Sequence, residues 1–157
     1  MEIEEVKKLS IELMESSKAA YLTTIDLHGY PITRAMFNLR NKEQFPEFSG
    51  FFEKLGNAFE IYISTNTSSS KIEHMKKNPK ISIYYCEPDD FKGVMFNGDV
   101  EIIEDLEIKK QIWLDWWIKY YHEGLEDPDY ALLRLKPKIA NFYYKLQKTI
   151  FDLGEEK

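Results

Sequence analysis

Hydrophobic positions along the chain change period several times, and each change marks an element. Between residues 3 and 14, Ile3, Val6, Leu9, Leu13 and Met14 recur at helical spacing opposite charged residues, which predicts an amphipathic helix. Then come two β-prone runs, "AAYLTTI" and "PITRAMF", around the turn "DLHGY", which reads as a hairpin. "FPEFSGFFEKLG" predicts a short helix ended by Gly56, and "FEIYIS" a strand. The polar stretch "STNTSSSK" leads into "IEHMKKNP", a short helix stopped by proline. Further strands are predicted for "KISIYYCEP" and "VMFNGDVEII", the second with Gly98 as a bulge or close-packing point. "DLEIKKQIWLDWWIKYYHEG" predicts one continuous helix, with Asp105 as N-cap and Gly124 as C-cap. "YALLRLKP" and "IANFYYKL" close the pattern as strands. Roughly six strands with short helices at their seams point to one antiparallel barrel or sandwich of α+β type, spanning residues 1–157 as a single domain.

Composition narrows the function classes. At 157 residues, 43% hydrophobic and 31% charged, the chain has the size and balance of one domain with a full core. No apolar run approaches the roughly 18 residues of a membrane helix, and "MEIEEVKK" lacks the basic start and apolar middle of a signal peptide. A cytoplasmic protein without a membrane partner is expected. A net charge of −6 argues against nucleic-acid binding through bulk charge. Cys86 stands alone, so no internal disulfide forms, and in a strand it reads as a small buried hydrophobe. His28, His74 and His122 show no ligand spacing, so no metal site is expected. No catalytic side chain can be named.

Two cations stand out. Ser70 followed by Glu73 fits a capping box, with Ser70 at the N-cap and Lys71 at the first helical position. A cation there faces the positive end of the helix dipole, which costs a few tenths of a kcal/mol unless an anion sits between them. Backbone N–H groups, hydroxyls and an ammonium at a helix start suit a phosphate. The plain alternative is a lysine extending into water over a serine-rich cap. Arg34 shares one strand face with Ile32 and Met36. Either it snorkels to the sheet edge or it offers a guanidinium fork to the same anion.

"PITRAMF", then "ISTNTSSSKIEHMKKNPKISIYY", then "FNGDVEIIED" resemble the pyridoxamine 5'-phosphate oxidase-like family of FMN-binding split barrels. "WLDWWIKYYHEGLEDPDYALLRLKP" resembles its general-stress-protein branch. The resemblance implies a six-stranded antiparallel split β-barrel, mainly β, with peripheral helices. It also implies FMN, with Arg34, Lys71, Ser69 and Ser70 at the phosphate and Ser64 and Thr65 lining the flavin. The backbone of Ala35, Met36 and Phe37 would pass beside the ring, and the site would lie at a homodimer interface. The chain departs from the family where the branch carries tryptophans, at Tyr120 and Tyr143, and in its end, "IFDLGEEK", which lacks the substrate-gripping arginine and histidine of a true pyridoxamine phosphate oxidase. That oxidase activity is therefore not expected. The resemblance leaves two function classes. One is an oxidoreductase passing electrons between a reduced nicotinamide and a small acceptor, its chemistry supplied by the cofactor. The other is a module that binds or carries a flavin without turnover. Haem, a third ligand, finds no histidine placed as an axial ligand. Trp113, Trp116, Trp117, Tyr120 and Tyr121 form a broad stripe, with Trp113 and Trp117 assigned to the core.

Overall fold

Antiparallel strands dominate the computed structural model, which describes residues 1–154. Strands β1 (Ala19–Ile25), β2 (Pro31–Phe37), β3 (Ile61–Asn66), β4 (Lys80–Glu87), β5 (Lys92–Ile103) and β6 (Tyr130–Leu135) follow the path β2-β1-β4-β5-β6-β3. Two more, β7 (Ile139–Tyr144) and β8 (Gln147–Asp152), branch from β5. The architecture is a mainly β, α+β split barrel with peripheral helices, and its sheet has eight strands where roughly six were expected. The end of the chain enters this sheet through β8; its last three residues lie outside the described ones.

Local chemistry explains the turns. Gly29 takes a positive φ of 86° between β1 and β2, and the Asp26 carboxylate accepts the amides of His28 and Tyr30. Along its 12 residues β5 pairs first with β7, over Gly93–Asn97, and then with β6, over Val100–Ile103. Gly98 sits at the handover, where a Cβ would lie 2.9 Å from Leu135 Cδ1, so the close-packing reading holds.

Helix α1 (Ile3–Ser16) buries Val6, Leu13 and Met14 against the barrel. The next helix, α2 (Ser49–Glu53), is short and follows a 3-10 turn at Pro46–Phe48; it ends before Gly56. Helix α3 (Ser70–Lys77) follows β3, and α4 (Leu106–Gln111) follows β5. The predicted long helix from Asp105 to Gly124 does not form. Asp105 caps α4 as expected, but the helix stops after Gln111, and 3-10 turns follow at Asp115–Lys119 and Gly124–Glu126. Ile112 and Trp117, both almost fully buried, would point about 140° apart on one helix. The Ile112 carbonyl instead accepts the Tyr130 hydroxyl, and the broken path lets both side chains reach the core.

Two cores result. Ile63, Ile83, Val94, Phe96 and Phe142 fill the barrel. Phe48, Tyr62, Ile112, Trp117, Tyr121 and Tyr130 build a second, aromatic core outside it. Residues of β3 alternate between the two, Ile61 and Ile63 inward and Tyr62 outward, so the strand is buried on both faces. Each fully buried side chain of this size contributes about 1.5–3 kcal/mol.

Candidate cofactor site

Where β2, the end of β3 and the aromatic segment meet, they enclose a cleft of about 550 Å³. Ala35, Met36 and Phe37 of β2 line it, together with Ser64 and Thr65 of β3. Trp117, Tyr120, Tyr121 and Lys71 line it as well.

Lys71 is the centre of the polar geometry. Its Nζ donates to Thr65 Oγ1 at 2.8 Å and to Ser69 Oγ at 2.7 Å. The helix start differs from the capping box expected at Ser70. Ser69 is the N-cap, its Oγ accepting the Lys71 amide at 3.4 Å, and Ser70 is the first helical residue, exposed. Glu73 is exposed on the first turn, so the predicted Ser70–Glu73 box is not what caps the helix. Moving the cap back by one residue turns the Lys71 side chain towards β3 rather than into water.

Arg34, paired in register with Leu22, is half-buried. Its Nη1 donates to Thr24 Oγ1 at 2.8 Å and to the Ile32 carbonyl at 2.9 Å. Burial lowers the pKa of both cations, and the Arg34 charge lowers that of Lys71 further. Among the described residues neither cation forms an ion pair with a carboxylate. Two like charges, partly desolvated and near each other, make a natural seat for an anion.

Of the residues singled out from sequence, Ala35, Met36, Phe37, Ser64, Thr65 and Lys71 line one cleft. Arg34, Ser69 and Ser70 are not among the residues that line it: Ser69 accepts from Lys71 Nζ, the Arg34 charge acts on Lys71, and Ser70 is exposed. Lys18, Ala19, Gln44 and Asn66 also line it and were not foreseen. Ala19 pairs with Phe37 across the β1–β2 ladder, so only the strand register brings it there. Trp117, Tyr120 and Tyr121 do not form the helical stripe that periodicity predicts; they follow the broken helix and line the cleft. The Tyr121 hydroxyl donates to the Thr65 carbonyl at 3.0 Å, and burial pushes its pKa up to about 12, so it remains a neutral donor. Cys86 is half-buried rather than buried, and burial raises its thiol pKa.

This arrangement coincides with a known sequence pattern. The profile of the pyridoxamine 5'-phosphate oxidase family matches residues 7–144. The chain belongs to this family. A crystal structure described as a protein related to general stress protein 26 of Bacillus subtilis (pyridoxinephosphate oxidase family), from Clostridium acetobutylicum, is 32% identical. The match covers 98% of this chain and 97% of that one, with a TM-score of 0.76. General stress protein 26 from Bacillus anthracis shares the fold at 19% identity and a TM-score of 0.66, over 96% and 100% of the two chains. A heme binding protein from Mycobacterium smegmatis shares it at 15% identity and a TM-score of 0.63, over 91% of this chain and 57% of that one. No curated protein matches the chain. Among the described residues, no helix is long and apolar enough to cross a membrane.

Proposed function

We propose that the protein binds FMN in this cleft and uses it to pass electrons from a reduced nicotinamide to a small acceptor. The observation that carries the reading is the pair Lys71 and Arg34, half-buried near each other and without a carboxylate partner among the described residues. Members of the family commonly bind a flavin. A volume of about 550 Å³ falls within the range of about 300–1,000 Å³ typical of small-molecule sites.

Lys71, Arg34, Ser69 and Ser70 would hold the phosphate, and Ala35–Phe37 with Ser64 and Thr65 would border the ring. When bound, FMN supplies the redox chemistry. The chain supplies position and field. Thr24 and the Ile32 carbonyl hold the Arg34 guanidinium in place, leaving its other nitrogen atoms for an anion. Trp117 and Tyr121 exclude water from the part of the cleft that they line. Positive charge at the cleft favours added electron density on a ligand there.

The reading includes a homodimer with the cofactor at its interface. It does not include pyridoxamine phosphate oxidation: among the described residues, those that one protomer lends to the cleft include no histidine and no arginine that could grip a second phosphate. Anaerobic mixing of the FMN-loaded protein with reduced nicotinamide tests the redox half. Bleaching of the flavin band supports turnover, and a bound flavin that stays oxidised favours the carrier reading. Bleaching by pyridoxamine phosphate contradicts the exclusion.

A further inference from the structure

The segment that carries the anion site is fastened from outside the site. Asp129, just ahead of β6, accepts the Asn66 side-chain amide at 2.7 Å through Oδ2 and the Ser68 backbone amide at 2.8 Å through Oδ1. Its own carbonyl accepts the Thr67 amide at 2.8 Å. One residue back along the cradle, Tyr121 holds the Thr65 carbonyl. Asp127 joins the two clamps, accepting the amides of Asp129 at 2.9 Å and Glu123 at 3.0 Å. Every residue from Thr65 to Ser68 is thus bonded to the segment 121–129, immediately before the Ser69 cap and Lys71.

From this geometry we infer that Asp129 and Tyr121 are positioning residues for anion binding, which hold the turn so that Ser69, Ser70 and Lys71 converge on one phosphate. The inference deepens the flavin reading and rests on it for the identity of the ligand. Asp129 acts through the turn: its carboxylate accepts from Asn66 and Ser68, and it is not among the residues that line the cleft. Tyr121 acts through the Thr65 peptide, whose hydroxyl is one of the two partners of Lys71 Nζ. The ligand group most affected is the phosphate, since the turn carries Ser69, Ser70 and Lys71 and leaves Ala35–Phe37 untouched.

Tyr121→Phe and Asp129→Asn, each with its melting temperature recorded, are titrated with FMN, riboflavin and inorganic phosphate. Tyr121→Phe keeps the ring in the aromatic core and removes one hydrogen bond. Asp129→Asn keeps an acceptor for Ser68 and loses charge. The expected result is a roughly five- to thirtyfold weaker FMN affinity in each variant, with riboflavin affinity unchanged in Asp129→Asn and lowered less than FMN affinity in Tyr121→Phe, whose ring lines the cleft. Equal losses for FMN and riboflavin, or no loss for either, overturn the inference. A wild-type protein that takes up neither flavin contradicts the flavin reading instead. The inorganic phosphate arm, followed by intrinsic tryptophan fluorescence, then decides the inference alone: weaker binding in both variants upholds it, and unchanged binding overturns it.

Discussion

Lys71 Nζ and Thr65 Oγ1 lie 2.8 Å apart, tying the first turn of α3 back to the end of β3. That bond converts a serine-rich turn into a concave cradle with an ammonium at its centre. Lys71→Ala removes the charge and one side of the cradle. FMN affinity should fall about ten- to a hundredfold, the equivalent of about 1.4–3 kcal/mol for one charge-assisted contact, while riboflavin affinity changes little. Isothermal titration of the variant with both ligands checks this.

The lowered Lys71 pKa gives the site a defined pH response. Its folded-state pKa lies below 10.5, so at neutral pH the unfolded chain holds this proton more readily than the folded one. The charge therefore costs stability at neutral pH in the ligand-free protein, and the cost is relieved as pH rises through the lowered pKa. Ligand affinity moves the other way, because an anion needs the protonated amine. FMN affinity should hold through neutral pH and decline on the alkaline side before an ordinary lysine would titrate. Titrations from pH 6 to 10 that stay flat to the alkaline end contradict it.

The outer face of the sheet predicts self-association. Register places Tyr84, Met95, Ile139, Tyr143 and Ile150 on one face, and four of these five large residues are exposed. Tyr84 lies across Gly93, where a Cβ would fall 2.1 Å from its hydroxyl oxygen. Exposed apolar side chains gathered on one face suit a dimer interface. The protein should sediment at twice its 18.7 kDa. Gly93→Ala should push the Tyr84 ring aside and weaken the dimer, read as a higher dissociation constant by sedimentation equilibrium.

Stability depends on how α1 ends. Asn38, 1% exposed, donates to the Met14 carbonyl at 2.9 Å and to the Ser17 carbonyl at 2.8 Å, while its Oδ1 accepts the Arg40 amide at 3.2 Å. It satisfies carbonyls that the helix leaves open. Asn38→Leu strands buried polar groups, and urea denaturation should show a loss of about 2–4 kcal/mol.

Legibility in the sequence followed whether an element's cause was local. The β1–β2 hairpin was readable because Asp26 and Gly29 dictate its turn. The β7–β8 hairpin was not. Its two-residue turn uses Lys145 and Leu146 at φ 51° and 60°, a conformation usually signalled by Asn-Gly, so β8 left no trace. The helix from Asp105 to Gly124 failed because Tyr130, 18 residues away, takes the Ile112 carbonyl, and periodicity cannot register such a bond. In the run Thr67–Ser70 several hydroxyls can cap α3, and only the contact of Lys71 with Thr65 and Ser69 selects Ser69. Arg34 and Lys71 were readable as residue types in context. The aromatic residues of the cleft were legible only as a broad stripe that leaves surface over for an interface or a ring platform, because their position depends on the broken helix.

The most direct measurement is a paired titration of the cofactor-free protein with FMN and riboflavin. If Lys71 and Arg34 seat a phosphate, FMN should bind about a hundredfold tighter, roughly 3 kcal/mol from two charge-assisted contacts. Equal affinity for the two flavins would contradict the phosphate cradle.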